Sequence, residues 1–322
     1  QGLTSSNYNL SFANGTLTVS PAALVAITAA LSGQTQKVYD GTTTAALVPG
    51  NFVLSGFVGS DGATVTRSVG QYADAHVGSA KLVSTSLQAS DFTPTGSTNF
   101  GNYVLPTSAS GAIGAITPAT LTVTANAVSR AYGAANPAFS GSISGFVNGE
   151  TLVSATTGNL AFGTAATAAS GAGSHAIDGS GLTANHGNYV IVQAPGNAGA
   201  LTITPAPLTV AANDAAKTYD GRAFSGGNGV SFTGFVNGEG AGALGGTLSY
   251  GGSAQGATNA GTTLITPQGL SSANYAISFV DGRLVISPAT LTITAAAASR
   301  TQGTANPGFS GTVSGFVNGE TL

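Results

Sequence analysis

The sequence predicts an all-β protein built as a tandem array of small immunoglobulin-like β-sandwich domains. One order of motifs recurs along the 322 residues, aliphatic residues alternate with threonines in short segments, and 48 glycines and 12 prolines interrupt the chain. Such frequent interruption leaves no long helical pattern, so at most one short helical turn is expected in each repeat. A sandwich has about seven strands and no helix, whereas the alternative, a β-grasp-like unit, wraps about four or five strands around one helix.

Prolines that follow an aliphatic and threonine-rich segment mark the end of each repeat. Intervals of about 80 to 100 residues separate them, which is the size of a small domain. Residues 1–21 match the close of the third repeat, 268–288. The marks are Pro21, Pro118, Pro205 and Pro288, and they predict a closing fragment, three complete repeats and an opening fragment over residues 1–21, 22–118, 119–205, 206–288 and 289–322.

Three further marks recur in a constant order between the prolines. An aromatic-glycine turn comes first, a Gly-Phe-Val segment second and an Asn-Tyr pair third. These aromatic residues are expected in cores and turns, although exposed ones in every repeat would suit sugar binding. The turns are Tyr39-Asp40-Gly41, Tyr132-Gly133 and Tyr219-Asp220-Gly221, the phenylalanines are Phe57, Phe146, Phe235 and Phe316, and the paired tyrosines are Tyr8, Tyr103, Tyr189 and Tyr275.

Strands are predicted where aliphatic side chains alternate with threonines, as in Leu121-Thr-Val-Thr, Leu201-Thr-Ile-Thr and Leu291-Thr-Ile-Thr. In a strand this alternation places the aliphatic side chains on a core and the threonines in solvent. Asn14-Gly15 and Asp281-Gly282 each stand between two such segments. Because these dipeptides favour tight turns, each repeat is predicted to close with a β-hairpin.

The joint between repeats is predicted to be short and stiff. Only Pro-Ala and one further residue separate the closing strand from the next opening strand, and proline fixes φ. The aliphatic positions change parity across the joint, from Leu201 and Ile203 to Leu208 and Val210, so the inward face switches sides. These features predict an elongated rod of consecutive domains.

Composition excludes several classes of function. Eight basic and eleven acidic residues give a net charge of −3 without a basic patch, which argues against nucleic-acid binding. The absence of cysteine excludes disulfides and thiolate metal sites. No apolar run of about 20 residues occurs, so no membrane insertion is expected of this segment.

A cation precedes each aromatic-glycine turn by two residues, and an anion follows each Gly-Phe-Val segment. In a chain with only 6% charged residues, this recurrence predicts an ion pair within each repeat. A surface pair of this kind contributes about 0 to 1 kcal/mol. The predicted pairs are Lys37 with Asp61, Arg130 with Glu150, and Lys217 with Glu239.

No catalytic residues and no cofactor are predicted. His76, His175 and His186 occupy unrelated places in two repeats, so they suggest neither a ligand pair nor a triad. The acidic residues are scattered rather than clustered, and a Ca²⁺ site would depend on backbone carbonyls for most of its ligands.

Two motifs resemble known repeats of large bacterial exoproteins. Lys37-Val-Tyr-Asp-Gly-Thr-Thr and Lys217-Thr-Tyr-Asp-Gly resemble the opening of YDG-type repeats. Arg130-Ala-Tyr-Gly-Ala-Ala-Asn-Pro137 and Gly145-Phe-Val-Asn-Gly-Glu150 resemble the YGX-type MBG repeat. The first complete repeat is therefore YDG-like, the second MBG-like, and the third has features of both. The last fragment departs from the pattern, because Arg300-Thr-Gln-Gly303 lacks the tyrosine.

Such repeats occur in filamentous-haemagglutinin-like adhesins, so the resemblance implies a secreted, surface-displayed, mostly β chain. The expected function is that of a stalk or filament segment of an adhesin or of a biofilm-matrix fibre. Its expected partners are the neighbouring repeats of the same chain and identical chains in a fibre. The alternative function is that of tandem carbohydrate-binding modules.

Overall fold

The computed structural model of the chain describes residues 2–18 and 22–322, so the predicted mark Pro21 lies outside the described residues. Strands joined by turns and short 3-10 segments form the structure, and a single-turn helix, α1, spans Leu152–Ala155. The all-β prediction is thereby confirmed. Among the described residues, no helix combines the length and the hydropathy that a membrane span requires.

Two compact units make up the chain, and the second repeat contributes to both. The first unit comprises Gln1–Thr122, Ser144–Gly158 and Leu182–Val192. The second comprises Val123–Ile143, Asn159–Gly181 and Gln193–Leu322.

The first repeat lies in the first unit. Its largest sheet has the strand order β3-β11-β8-β7-β4, in which β3 runs parallel to β11 and the other pairs are antiparallel. Three smaller pairs are β1 with β10, β2 with β5, and β6 with β9. The strands are β1 Val25–Ala26, β2 Thr28–Leu31, β3 Thr35–Val38, β4 Thr44–Ala46, β5 Phe52–Ser55, β6 Gly62–Val65, β7 Val69–Tyr72, β8 Gly78–Ser86, β9 Phe92–Thr95, β10 Tyr103–Val104 and β11 Ser108–Thr117.

The second repeat continues directly from the first. In the part of it that belongs to the second unit, β19 lies between β13, which is parallel to it, and β16, which is antiparallel. Its strands are β12 Ala119–Ala125, β13 Val128–Ala131, β14 Gly141–Ser144, β15 Thr156–Gly163, β16 Gly173–His175, β17 Asp178–Ala184, β18 Tyr189–Gln193 and β19 Leu201–Thr204.

The third repeat consists of two sheets, with strand orders β22-β20-β25 and β21-β26-β24-β23. Seven strands without an α-helix between residues 206 and 288 agree with the sandwich prediction rather than with a β-grasp unit. The opening strands β20 and β21 run parallel to the closing strands β25 and β26, respectively. The strands are β20 Ala206–Ala212, β21 Ala215–Thr218, β22 Val230–Thr233, β23 Gly245–Gly251, β24 Gly261–Ser271, β25 Tyr275–Val280 and β26 Gly282–Ser287.

The predicted closing hairpin is wrong. Only Asp281 separates β25 from β26, yet the two strands belong to different sheets. Each strand instead finds its parallel partner among the opening strands, so the chain crosses from one sheet to the other at this dipeptide. A side chain at Gly282 would meet the carbonyl oxygen of Ala212 at 2.7 Å, which explains the glycine without a hairpin turn. Around Asn14-Gly15, the described residues 2–18 contain no strand.

The first two joints between repeats are as short as predicted. Pro118 alone separates β11 from β12, and Pro205 alone separates β19 from β20. Leu201 and Ile203 before Pro205, and Leu208 and Val210 after it, are all at most 1% exposed. The change of parity is therefore real, but the two sets of side chains form one continuous cluster of buried residues. After the third repeat, β27 (Thr292–Ala295) pairs with β28 (Gly311–Ser314).

Candidate functional site

The recurring motifs of different repeats meet at the joints. At the first joint, within the first unit, the turn at Tyr39 contacts the Gly-Phe-Val loop of the second repeat. At the second joint, within the second unit, the turn at Tyr132 contacts the corresponding loop of the third repeat. At the third joint, also in the second unit, the turn at Tyr219 contacts the loop of the last fragment.

The aromatic-glycine turn has the same anchor in each repeat. The strand before it runs parallel to the closing strand of its own repeat. The tyrosine amide then donates to the last residue of that closing strand. The donors and acceptors are Tyr39 N to Thr117 O at 2.8 Å, Tyr132 N to Thr204 O at 2.8 Å, and Tyr219 N to Ser287 O at 2.7 Å. Because all three acceptors directly precede the prolines that mark the joints, the turn lies next to the start of the following repeat.

The Gly-Phe-Val loop presents a glutamate toward this turn. In the second repeat the loop has positive φ at Gly145, Asn148 and Gly149. The amide of Glu150 donates to the carbonyl of Val147 at 3.0 Å, which closes the turn. A Cβ at Gly145 would meet the carbonyl oxygen of Thr120 at 2.3 Å, so the loop can lie this close to the opening strand only with glycine there.

A carboxylate held by tyrosines from two repeats forms the centre of the joint, and we call this arrangement the tyrosine clamp. Glu150 Oε1 accepts from the Tyr39 hydroxyl of the preceding repeat at 2.8 Å, and Oε2 accepts from Tyr189 of its own repeat. Glu239 likewise accepts from Tyr132 at 2.5 Å and from Tyr275 at 2.6 Å. At the third joint, Tyr219 donates to Glu320.

Ring packing and backbone contacts fix the tyrosines of the clamp. The rings of Tyr39 and Tyr189 meet edge to face with centroids 5.3 Å apart, and those of Tyr132 and Tyr275 do so at 5.5 Å. The hydroxyl of the Asn-Tyr tyrosine also accepts from the amide of the valine in its own loop. All four tyrosines are at most 5% exposed. The tyrosine rings of the first two clamps are therefore largely shielded from water.

The pKa values in the clamp reflect these contacts. Burial, together with the hydrogen bond to Glu150, raises the pKa of Tyr39 to about 12. The hydrogen bond to Glu239 raises the pKa of Tyr132, since a tyrosinate would lose this bond and face a carboxylate. Conversely, hydrogen bonds from Tyr132 and Tyr275 lower the pKa of Glu239. The arrangement therefore favours neutral tyrosines around an ionised glutamate.

The turn requires glycine for two physical reasons. Gly41, Gly133 and Gly221 have φ values of 74°, 81° and 69°, in the left-handed region that disfavours side chains. In addition, a Cβ at each glycine would lie within 2.6 Å of a side chain in the loop of the next repeat. The loop asparagine reinforces the first and third joints, where Asn148 donates to Gly41 O at 3.2 Å and Asn318 donates to Gly221 O at 2.9 Å.

The predicted ion pairs of the two lysines are wrong. Lys37 pairs with Asp40 and Lys217 with Asp220, each at 2.7 Å. Each aspartate stands three residues after its lysine in the same turn, so forming the pair costs little conformational entropy. The hydrogen bond from Lys217 lowers the pKa of Asp220. Asp61 accepts instead from Tyr103, and Glu239 accepts from its two tyrosines. The buried Arg130 donates to Asn136 and to the carbonyls of Ala131 and Thr167.

Two of the three histidines come together although the sequence places them far apart. His76 of the first repeat stacks on His186 of the second, with centroids 3.9 Å apart, and Asn188 contacts the ring of His76 at 3.2 Å. His175 contacts the carbonyl of Gly171. Across residues 2–18 and 22–322, no group of three or more histidine, aspartate or glutamate side chains is arranged to hold a metal ion.

The tyrosine clamp itself is absent from the predictions made above. Sequence analysis identifies its residues as separate marks of one repeat, but it does not show that the turn of one repeat reaches the loop of the next. A signal was present, since every tyrosine turn is followed one repeat later by an acidic residue after Gly-Phe-Val. The three phenylalanines Phe57, Phe146 and Phe235 lie half-buried beside these loops.

Two family models match the chain in tandem. The model of the YDG domain matches residues 20–111. The model of the MBG domain (YGX type) matches residues 121–199, 208–285 and 291–322, which together exceed half of the chain. No curated protein and no solved structure matches. The chain thus belongs to the MBG domain (YGX type) family, and its first complete repeat carries a YDG domain.

Proposed function

We propose that the chain is a structural segment of the stalk or filament of a secreted, surface-displayed bacterial adhesin or biofilm-matrix fibre. The observation that carries this proposal is the recurrence of the tyrosine clamp at successive joints. A protein whose repeats acted independently would not need its buried tyrosines to donate hydrogen bonds to a glutamate of the neighbouring repeat.

Two features of the joints favour a mechanical role. Each of the first two linkers is a single proline, which limits backbone rotation. At the second joint, buried residues of two repeats also form a continuous cluster, including Leu201 and Leu208. Bending at this joint would expose apolar surface and break the hydrogen bonds to Glu239. We therefore assign the chain a mechanical role without catalysis.

The proposed extracellular location agrees with the composition. The chain contains no cysteine, so its stability does not depend on the redox state of the surroundings. Its 6% of charged residues leaves little repulsion between neighbouring copies. The proposed partners are accordingly the adjoining repeats and identical chains in a fibre.

Binding of carbohydrate by the clamp tyrosines of the first two joints receives no support from their position. A sugar platform needs an exposed aromatic face, whereas Tyr39, Tyr132, Tyr189 and Tyr275 direct their rings and hydroxyls into the joints and are at most 5% exposed. These residues are better explained as parts of a mechanical connection.

Solution X-ray scattering of the full chain tests the proposal. Three domains of roughly 35 to 40 Å that lie end to end would give a maximum dimension well above 100 Å. The matched variants are a doubly substituted chain, Tyr39→Phe with Tyr132→Phe, and Tyr250→Phe, which alters a tyrosine outside the joints. We expect wider conformational averaging only in the double variant. A compact particle in the unsubstituted chain would contradict the stalk function.

A further inference from the structure

We propose that a groove on the first repeat binds the aromatic-glycine turn of another repeat, one that closes as the third repeat does. The groove has a volume of 550 Å³ and is formed by the opening segment, the Gly-Phe-Val loop and the Asn-Tyr pair of the first repeat. Its main residues are Leu24, Val25, Val58, Asp61, Asn102 and Tyr103. This inference deepens the proposed function and rests on it.

The groove contains half of a tyrosine clamp. The hydroxyl of Tyr103 donates to Asp61 Oδ2 at 2.6 Å and accepts from the amide of Val58 at 3.3 Å. The ring of Tyr103 packs edge to face on Phe57, with centroids 5.0 Å apart. Tyr189 and Tyr275 make the same set of contacts with Glu150 and Glu239 at the first and second joints.

The other half of the clamp indicates what the groove recognises. At the first and second joints, the second carboxylate oxygen accepts from the tyrosine of the preceding repeat. In the part of the chain that the structure describes, Asp61 Oδ1 accepts no such hydrogen bond. The chemistry that completes the site is therefore a neutral phenol hydroxyl on a turn whose glycine allows close approach.

Residues 1–21 indicate which repeat supplies this turn. Their sequence matches residues 268–288 with the same spacing of Asn-Tyr, Asn/Asp-Gly and proline. In the third repeat, the corresponding strand β26 runs parallel to β21, and Ser287 accepts from the amide of Tyr219. A complete repeat that closes with residues 1–21 would by the same pairing carry its turn directly before Ala22, at the groove.

Two differences predict that this contact is weaker than the first two joints. Asp61 is one methylene shorter than Glu150 and Glu239, so the docked turn must approach more closely. Gly59 occupies the position of Asn148 and Asn237, so the loop lacks the side-chain amide that donates to the preceding repeat.

The test extends the full chain by a second copy of residues 206–267 placed before Gln1, which completes a repeat with residues 1–21. Hydrogen exchange of the backbone amides of residues 56–62 is compared with that in the original chain. We expect exchange about tenfold slower in the extended chain, since docking closes this loop. Tyr219→Phe in the added copy alone, or Asp61→Asn, should abolish the protection. Tyr250→Phe in the added copy is the matched control and should retain it.

Equal exchange in the original and extended chains would overturn the inference, as would protection that survives both Tyr219→Phe in the added copy and Asp61→Asn. A second extension covers the case in which the added segment does not fold. It replaces residues 1–21 by a copy of the whole second repeat, 119–205, with Tyr132→Phe as the decisive variant. Its result is then judged by the same criterion.

The outcome is separable from that of the stalk proposal. Protection that depends on the tyrosine supports the groove even if scattering shows a compact particle, which would contradict only the stalk. If hydrogen exchange contradicts docking at the groove while scattering shows an extended particle, the stalk proposal stands.

Discussion

At the scale of single residues, the tyrosine hydroxyls make the joint sensitive to alkaline pH. The pKa of Tyr39 is raised from 10.0 to about 12, first by burial and then by its hydrogen bond to Glu150. A raised pKa means that the folded state favours the neutral phenol. The contribution of Tyr39 to the free energy of unfolding is therefore complete below pH 10 and is lost as the pH rises toward 12.

The corresponding prediction concerns Glu150→Gln. Removing the carboxylate should lower the pKa of Tyr39 toward 10 but not fully to it, because burial of the ring remains. Tyrosine ring signals in nuclear magnetic resonance spectra, followed during an alkaline titration, measure this pKa directly. Glu239→Gln, which alters the other clamp, should leave Tyr39 unchanged. An identical titration of Tyr39 in the Glu150→Gln variant would show that the carboxylate does not act on it.

Glu239 makes the stability of its clamp sensitive to acidic pH. Its pKa is lowered by hydrogen bonds from Tyr132 and Tyr275, so its contribution to stability is present above the ordinary glutamate value of 4.5 and is lost as the pH falls through the lowered pKa. The clamps are thus expected to be fully formed between these two limits.

Charge pairing shows where sequence reasoning stops at the residue scale. The recurrence of the cations and anions is visible in the sequence, but the predicted pairing of one with the other is wrong for both lysines. A lysine finds an aspartate three residues away at little entropic cost, whereas Tyr39, which binds Glu150 from the preceding repeat, is 111 residues distant in sequence. Only the folding of two consecutive repeats against each other at the joint brings Tyr39 and Glu150 together.

At the scale of elements, a comparison of two glycines distinguishes the cost of backbone strain from the cost of lost contact between repeats. Gly133 and Gly226 have the same φ of 81°. A Cβ at Gly133 would lie 2.4 Å from Val236 Cγ2, while a Cβ at Gly226 would meet nothing within 4 Å. The two positions therefore form a matched pair.

We expect Gly226→Ala to cost about 1 to 2 kcal/mol through the left-handed conformation alone. Gly133→Ala should cost about 1 to 3 kcal/mol more, because Val236 must shift and the second joint must open. Denaturation by urea, followed by circular dichroism, measures both. Equal losses of stability would mean that contact with the next repeat contributes nothing to the glycine requirement.

The strands show which parts of the fold were predictable. Alternation of aliphatic residues with threonine indicates a half-buried strand locally, and Leu201, Ile203, Leu208 and Val210 are indeed buried. The same expectation is wrong for Leu291 and Ile293, which are exposed. The prediction of a closing hairpin is wrong because a turn signal does not reveal which strand the following residues pair with. In the third repeat that partner, β21, lies more than 60 residues earlier in the chain than β26, and parallel pairing has no local turn signature.

At the scale of the molecule, the continuous buried cluster predicts that the second and third repeats unfold together. The cluster joins residues on both sides of Pro205, and the single-residue linker holds them in place. Cooperative unfolding requires that exposing one side of this interface destabilises the other. A flexible insertion at the proline should therefore divide this expected single transition into two.

The specific prediction is that four glycine and serine residues inserted between Thr204 and Pro205 divide the unfolding of the second unit into two transitions. The less stable part should lose about 2 kcal/mol, comparable with exposing one of the aliphatic side chains of the cluster. Each transition should also show a smaller dependence on urea than the original, because less surface is exposed in each. The same insertion between the exposed residues Ala297 and Ala298 is the control and should change neither quantity. If the insertion at Pro205 leaves one transition with an unchanged urea dependence, the repeats are coupled by contacts other than those of the joint.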